Sequence, residues 1–384
     1  MKDKLNYKKI APSIVFCSFI YLIFILFLVM PKNDYSAQEK RNLSDMPEFS
    51  LEVLFDGSFS DKFEKYLSDQ IPFRSFWVGT NSYYDLFSGR NGSNGVYKAD
   101  DGYLITLPIT ESSQLVTNVG YLDEFAAKID ADTYMCVIPT NGFIMDNKLP
   151  TLHEPYNDDL IIEKINETLN GLDSRINYVN IVNGFKALSD TEQLYYKTDH
   201  HWTSLGAYEC YNLLGESLGY TPTDKKAFEI ESCDGFYGTS YGKAALWGCK
   251  PESLEVWRNT SHTNDSIAVS IYENGEVILS DSMFFTENLK TDDKYTVFLD
   301  GNHGYVDIVN KDNPDGEKLL MIRDSYSHCL APFLADNYSE IILVDLRYYK
   351  ETVSTLVCEN KIDKVLIVYG LDSIVNGTDI AYLF

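Results

Sequence analysis

Six histidines occur among 384 residues, and two of them stand side by side next to a carboxylate in Tyr195–Trp202, Tyr-Tyr-Lys-Thr-Asp-His-His-Trp. An aspartate two residues before a histidine can hold one ring nitrogen and leave the other free to take up a proton, which a general base requires. The proton must come from a nucleophile. The apolar run Leu319–Ile322 supplies a candidate, because it ends abruptly on Arg323-Asp324-Ser325-Tyr326 ahead of a helical pattern. A strand that delivers a serine at its C-terminal edge is how α/β hydrolytic enzymes expose a hydroxyl for attack. Ser325 as nucleophile, His201 as base and Asp199 as the group that fixes the tautomer make up the candidate catalytic triad. Adjacent side chains point in different directions, so only one of His200 and His201 is expected to act.

Taken singly, each residue also has a plainer role. Ser325 or Asp324 could cap the following helix, Asp199 and His201 could be a structural pair, and Trp202 could be core. The conjunction is what favours chemistry. Thr-Asp-His-His also occurs in the DHH phosphoesterases, where aspartates and histidines hold two divalent ions. That chemistry needs further Asp/His clusters and an apolar strand before the motif. Here Tyr-Tyr-Lys-Thr precedes it and three or four ligands are not visible. Neither a metal nor any other cofactor is expected.

The elements that must position these residues follow from periodicity. Glu111–Ala127, Asp158–Leu172 and Leu205–Leu218 read as helices, and Tyr134–Ile138 and Tyr178–Val182 as strands. Leu319–Ile322, Glu340–Val344 and Lys364–Tyr369 are apolar runs separated by Cys329–Ala335 and Lys350–Cys358, which can be helical. That alternation implies parallel strands with right-handed crossovers, hence an α/β sandwich with a mostly parallel sheet. Asp324-Ser325, Asp345/Arg347, Tyr369-Gly370 and Pro139-Thr140-Asn141 would then share the C-terminal edge of the sheet, where active residues collect. Thr221–Asp315 changes character, and its short alternating segments Ser266–Tyr272, Val277–Leu279 and Tyr295–Phe298 suggest a β-rich insertion. Upstream, Leu51–Leu86 has helical spacing, Gly89–Gly95 is a loop, and Val96–Leu107 reads as a hairpin around Asp101-Gly102.

Hydrophobic residues make up 45% and charged residues 23% of the chain, which is globular rather than disordered. Ile10–Met30 carries 21 residues without a charge, enough to cross a hydrocarbon core of about 30 Å. Lys2, Lys4, Lys8 and Lys9 precede it, so the positive-inside rule keeps residues 1–9 in the cytoplasm and sends the rest outside. Leu28-Val29-Met30-Pro31 offers no small-residue cleavage site, which favours an uncleaved signal anchor over residues 10–30. A juxtamembrane stalk and N-terminal segment (31–105) and the α/β domain (106–384, with its insertion at about 221–315) would follow. Beyond residue 32 the chain has 27 basic and 56 acidic residues, a net charge of −29. Such a surface repels nucleic acid and mildly disfavours a strongly polyanionic substrate. Of seven cysteines, Cys233 and Cys249 flank a Gly/Tyr-rich loop where an oxidising exterior would allow a bridge.

The stretch Asp199-His200-His201-Trp202, with Thr203-Ser204-Leu205-Gly206-Ala207 behind it, resembles the DHHW protein family. That family is similar to the AlgX/AlgJ group of SGNH-hydrolase-like alginate O-acetylation proteins. Glu39-Lys40-Arg41-Asn42-Leu43, Phe63–Phe73-Arg74, Val137-Ile138-Pro139-Thr140, Leu149-Pro150, Phe236-Tyr237-Gly238 and Asp324-Ser325-Tyr326 follow in the same order. The resemblance implies an SGNH-like α/β/α sandwich and a Ser325–His201–Asp199 triad. It also implies O-acetyl chemistry on an extracellular polysaccharide, with an integral membrane acyltransferase of the MBOAT type supplying the acetyl group in many such systems. Arg323 departs from the pattern, standing where the usual Gly-Asp-Ser block has glycine, and no clear copy of the Gly and Asn blocks that complete the oxyanion hole is present. Asn141 is the candidate second donor, or else a turn residue. Trp202, Tyr326, Tyr196 and Arg347 are candidates to line a glycan groove. The expected activity is an extracytoplasmic polysaccharide O-acetyltransferase, with an acetylesterase or a non-catalytic binding module as alternatives.

Overall fold

The strand Lys318–Arg323 shows how the domain is layered, because alternate residues point to opposite faces and both faces are apolar. Leu319 and Met321 enter one buried core, Leu320 and Ile322 another. The neighbouring strands repeat the division. Ile341, Leu343, Leu366, Val368, Cys136 and Ile138 share the first core, whereas Ile342, Val344, Val365, Ile367, Met135 and Val137 share the second. A sheet buried on both faces needs helices on both sides. The computed structural model has this arrangement, and it describes residues 7–50, 54–55, 58–263, 265–273 and 275–384.

The central sheet has eight strands: β1 (Asp132–Ile138), β2 (Asn177–Tyr178), β3 (Ile267–Glu273), β4 (Glu276–Ser280), β5 (Tyr305–Asn310), β6 (Lys318–Arg323), β7 (Glu340–Val344) and β8 (Lys364–Gly370). Their spatial order is β4-β3-β5-β7-β6-β8-β1-β2. β7, β6, β8, β1 and β2 run parallel, and β5, β3 and β4 extend the sheet antiparallel. The first core is covered by helices Val182–Leu188, Ser204–Leu218 and Ser327–Leu334, and the second by Gln114–Lys128, Asp158–Gly171, Val353–Asn360 and Leu371–Asn376. The result is a three-layer α/β/α sandwich.

Residues 221–315 divide between two places. Phe228–Phe236 pairs with Glu252–Asn259 as a separate two-stranded sheet, whereas β3, β4 and β5 join the central one. Two expected strands take other forms. Only Asn177–Tyr178 pairs before a helix opens at Val182, and Lys294–Val297 is a 3₁₀ turn that presents Tyr295. The helical pattern of Leu51–Leu86 is divided: residues 51–53 and 56–57 lie outside the described set, and Ser58–Gln70 and Arg74–Phe87 are separate helices. Phe73, at φ 60°, reverses the chain between them.

Tyr7–Val29 is a helix, and its Ile10–Val29 portion is long and apolar enough to cross a membrane, with none of its 18-residue apolar window buried. The side chains of the lysine flank at 2–9 lie outside the described residues. The segment that follows is tied down by ion pairs. Arg41 donates to both oxygens of Asp69 at 2.6 and 3.0 Å and pulls that carboxyl down to about 2. Glu39 bridges Arg41, at 2.7 Å, and Arg74. Lys40 reaches Asp293 at 3.2 Å with its side chain almost fully covered. The Glu39–Leu43 and Asp69–Arg74 blocks therefore act together as one clamp.

Candidate active site

The Tyr195–Trp202 stretch is a tight loop closed by its ends. Tyr195 and Trp202 form a bridge, the Tyr196 N–H donates to the His201 carbonyl at 3.1 Å, and the Thr203 N–H donates to Leu194 at 2.8 Å. Thr203 then caps the helix Ser204–Leu218 by accepting from the Gly206 N–H at 3.1 Å. A fixed exit into a helix holds the loop's side chains in place.

Across the groove, β6 ends at Arg323 and Ser325 follows two residues later, before the helix Ser327–Leu334. Ser325 Oγ lies 2.6 Å from His201 Nε2, and His201 Nδ1 lies 2.6 Å from Asp199 Oδ1. A carboxylate can only accept, so Nδ1 carries the proton and Nε2 is the acceptor for the Ser325 hydroxyl. Asp199 is also held by the His201 N–H at 2.9 Å and the Thr239 N–H at 2.6 Å. Burial alone would raise its carboxyl, but His201, His200 and the hydrogen bond from His201 hold it well below the usual carboxylate range. It is therefore an anion beside the imidazole.

Three further groups lock this arrangement. The Tyr295 ring lies flat on the His201 ring, 4.2 Å away at 12°, and its hydroxyl donates to the Ser325 carbonyl at 3.4 Å. Asp324, fully enclosed, accepts from the Tyr326 N–H at 3.1 Å and from the Gly370 N–H and Ser373 Oγ at 2.8 Å each, stitching the Ser325 loop to the end of β8. Glu252 accepts from the Lys197 N–H at 2.8 Å and from the N–H and hydroxyl of Thr198 at 2.6 Å each. Neither Tyr295 nor Glu252 carried a motif of its own, and their distance from the loop in sequence hid both.

A match to the family model for DHHW proteins spans residues 128–344, more than half of the chain, and includes both the Asp-His-His-Trp loop and the Ser325 turn. The chain belongs to the DHHW family. Among solved structures, a DHHW family protein from Eubacterium siraeum is 23% identical over 75% of this chain and 95% of its own, with a TM-score of 0.62. PatB1 from Bacillus cereus, in a structure with a sulfonyl adduct, is 19% identical over 75% of this chain and 98% of its own, with a TM-score of 0.61. At these identities the likeness is one of fold. The O-acetyltransferase domain of AlgJ from Pseudomonas putida matches at 11% identity over 73% of this chain and 92% of its own, with a TM-score of 0.45. A search of curated protein sequences finds no match.

In this DHHW protein the two histidines have different surroundings. Their rings lie 3.9 Å apart because residues 198–201 form a bend instead of a strand. Only His201 reaches Ser325. His200 Nδ1 pairs with Thr239 Oγ1 at 2.6 Å, and packing together with His201 holds its imidazole below the ordinary histidine range. Asp199, His200 and His201 offer ligand atoms within 4.8 Å of one another. Among the described residues, His200 Nε2 is the one ring nitrogen of the pair without a hydrogen-bond partner.

The remaining predicted residues divide. Tyr326, Asn141 and Arg347 line the groove of about 730 Å³ that holds Ser325. Trp202 and Tyr196 do not, because both are core residues, 0% and 1% exposed. Trp202 instead donates from its indole to the Tyr326 carbonyl at 3.0 Å, and Tyr196 packs edge-on against Phe236, centroids 4.9 Å apart. Cys233 and Cys249 are free thiols and form no bridge. Asn141, 1% exposed, opens a short helix after β1; its Oδ1 accepts from Thr106 Oγ1 at 3.3 Å, and its Nδ2 has no partner among the described residues. A buried amide donor without an acceptor is costly unless something fills the place. Arg323, in place of glycine, is fully buried and donates to Asp345 at 3.4 Å and the His303 carbonyl at 3.1 Å, with a close contact to His328. Asp345 in turn grips Arg347 at 2.9 and 2.6 Å, so the arginine departure anchors a charge cluster below the groove.

Proposed function

We propose that this DHHW protein is an extracytoplasmic O-acetyltransferase of a cell-surface or secreted polysaccharide, working through an acetyl-Ser325 intermediate. The observation that carries the reading is the unbroken series Ser325 Oγ, His201, Asp199, with 2.6 Å at each step. Ser325 Oγ attacks the carbonyl carbon of an acetyl donor while its proton passes to His201 Nε2, and Asp199 stabilises the imidazolium. The oxyanion is met by the backbone N–H of Ser325 and by Asn141 Nδ2. The tetrahedral species collapses, the bond to the donor's leaving group breaks, and His201 returns the proton to that group. A sugar hydroxyl then gives its proton to His201 and attacks the acetyl carbon, and Ser325 leaves with the proton. Water in place of the sugar gives an esterase.

The motif resemblance supports acetyl as the acyl group and an MBOAT-type membrane acyltransferase as its source. The apolar helix Ile10–Val29 supports a membrane anchor, and Lys2, Lys4, Lys8 and Lys9 before it support a groove on the outside. A sulfonyl group attaches where a nucleophile attacks sulfur, and PatB1 holds one; the matching nucleophile here would be Ser325. The test uses the full chain in detergent, treated with a sulfonyl fluoride or with p-nitrophenyl acetate and followed by intact-protein mass spectrometry. One adduct is expected on the wild type and none on Ser325→Ala. Transfer of the acetyl group to an oligosaccharide distinguishes the transferase, and release as acetate alone the esterase. Equal labelling of Ser325→Ala would overturn the assignment.

A further inference from the structure

Arg347 belongs to two cavities at once. One is the Ser325 groove; the other, about 1220 Å³, lies on the far side of the guanidinium, between the β3–β4 hairpin, the start of β5 and the loop after β7. Small-molecule sites occupy roughly 300–1,000 Å³, so the second cavity has room for several linked rings. Four tyrosines line part of its wall. Tyr272 and Tyr305 stand opposite each other across the β3/β5 pair, rings edge to face at 4.9 Å, and the Tyr349 ring lies 6.0 Å from Tyr305 at 31°. Tyr348 follows Arg347, whose guanidinium is 5.5 Å from its ring. The acetyl-transfer chemistry above uses none of them.

The wall is built rather than left over. The Tyr348 and Tyr349 N–H groups both donate to the Asp345 carbonyl, at 3.0 and 2.8 Å, and the Asp345 N–H donates to Gly304 at 3.1 Å. A Cβ on Gly304 would meet the Tyr348–Tyr349 backbone at 3.0 Å, so this loop is pressed onto the start of β5. The residue that fixes it, Asp345, also fixes Arg347 beside Ser325. Tyr272 and Tyr348 nevertheless keep about half of their surface open, 46% and 54%. Flat apolar rings with polar edges, held rigid at modest entropic cost, suit the C–H faces and hydroxyls of sugar rings.

We propose that this tyrosine wall is the acceptor subsite, binding an uncharged glycan chain so that one of its hydroxyls reaches the Ser325 groove past Arg347. The charge balance selects the uncharged class. Glu273, Glu276, Glu351 and Glu359 border the cavity against Lys350 and Arg347, and Arg347 shares Asp345 with the buried Arg323, so five carboxylates stand against three cations. A polyuronate would meet net repulsion there, reinforced by the −25 charge of the whole chain. Carboxylates accept hydrogen bonds from neutral sugar hydroxyls without that penalty.

This subsite rests on the polysaccharide reading, so binding and transfer are measured separately. Full-length Ser325→Ala in detergent is titrated calorimetrically with chitohexaose and cellohexaose as neutral probes and hexagalacturonate as the acidic one. At least one neutral hexamer is expected to bind, with hexagalacturonate weaker. Tyr349→Ala and Tyr272→Ala should each weaken binding about tenfold, the loss of one aromatic face, and the Phe variants should restore it. Ala variants that bind as well as the parent, tighter binding of hexagalacturonate, or no binding of either neutral hexamer would each overturn the proposal. If wild-type protein acetylates a glycan while the tyrosine variants bind unchanged, the subsite fails and the acetyltransferase stands. If the tyrosine variants lose binding but no acetyl-Ser325 forms, the subsite stands and acetyl transfer fails.

Discussion

Gly238 offers the sharpest test of how the candidate triad is supported. Its φ of −90° is open to any residue, so the glycine is required for space rather than for backbone freedom. A Cβ there would stand 2.2 Å from Asp199 Cβ and 2.4 Å from Oδ2. Carbon atoms in contact prefer about 3.5 Å, so Gly238→Ala must push the two apart by roughly 1.3 Å. The Thr239 N–H bond to Asp199 at 2.6 Å and the Gly238 N–H bond to Thr198 Oγ1 at 3.0 Å lie in the path of that movement. Overpacking of this kind costs about 1–3 kcal/mol of stability, and a misplacement near 1 Å costs on the order of 10²-fold in rate. The assay is the burst of p-nitrophenol from p-nitrophenyl acetate, with thermal melting on the same samples. Gly120→Ala is the control, because its Cβ meets nothing within 4 Å in the helix Gln114–Lys128; its burst should be normal and its stability slightly raised. A Gly238→Ala burst within about threefold of wild type would refute the argument that the Asp199 position governs the base.

Two other outcomes follow from the groove. Asn141→Ala should slow acylation by about 10²–10³-fold, as loss of an oxyanion donor does, with only a small drop in melting temperature, because the one side-chain bond lost is the 3.3 Å bond from Thr106 Oγ1 to Oδ1; unchanged acylation would remove Asn141 from the site. Asp158 accepts from the N–H and hydroxyl of Thr140, at 2.6 and 2.7 Å, and burial raises its carboxyl to about 6. A folded-state value above the unfolded value of about 3.9 means that the folded protein binds the proton more tightly, so this group's contribution to stability falls as pH rises from about 4 to 6. Asp158→Asn keeps an acceptor for Thr140 and removes that loss, so it should raise stability above pH 6 by up to about 3 kcal/mol, read from denaturant melts at pH 4 and pH 7. An equal change at both values would contradict the burial argument.

The strands of the parallel sheet were legible because each is a short apolar run bounded by turns, and Glu340–Val344 matches its strand end for end. Regions with weaker periodicity were harder to read. Tyr295–Phe298 alternates like a strand, but its position beneath His201 requires a turn, and tertiary contact overrode the local pattern. Trp202 and Tyr196 looked like groove residues because aromatic type does not reveal which way a side chain points. In a bent loop that direction is set by the bridge closing it and by the core behind it.

By itself the sequence determined the layered α/β architecture and the apolar N-terminal helix, and singled out Asp199, His201 and Ser325 as candidates, since periodicity and residue type are local properties. Only the tertiary structure decided what surrounds them. Glu252 on the Thr198 backbone, Tyr295 on the imidazole, Gly238 against Asp199 and Asp345 between two arginines all join segments tens of residues apart. Such pairings arise from how the sheet edges and loops pack, and no spacing along the chain encodes them.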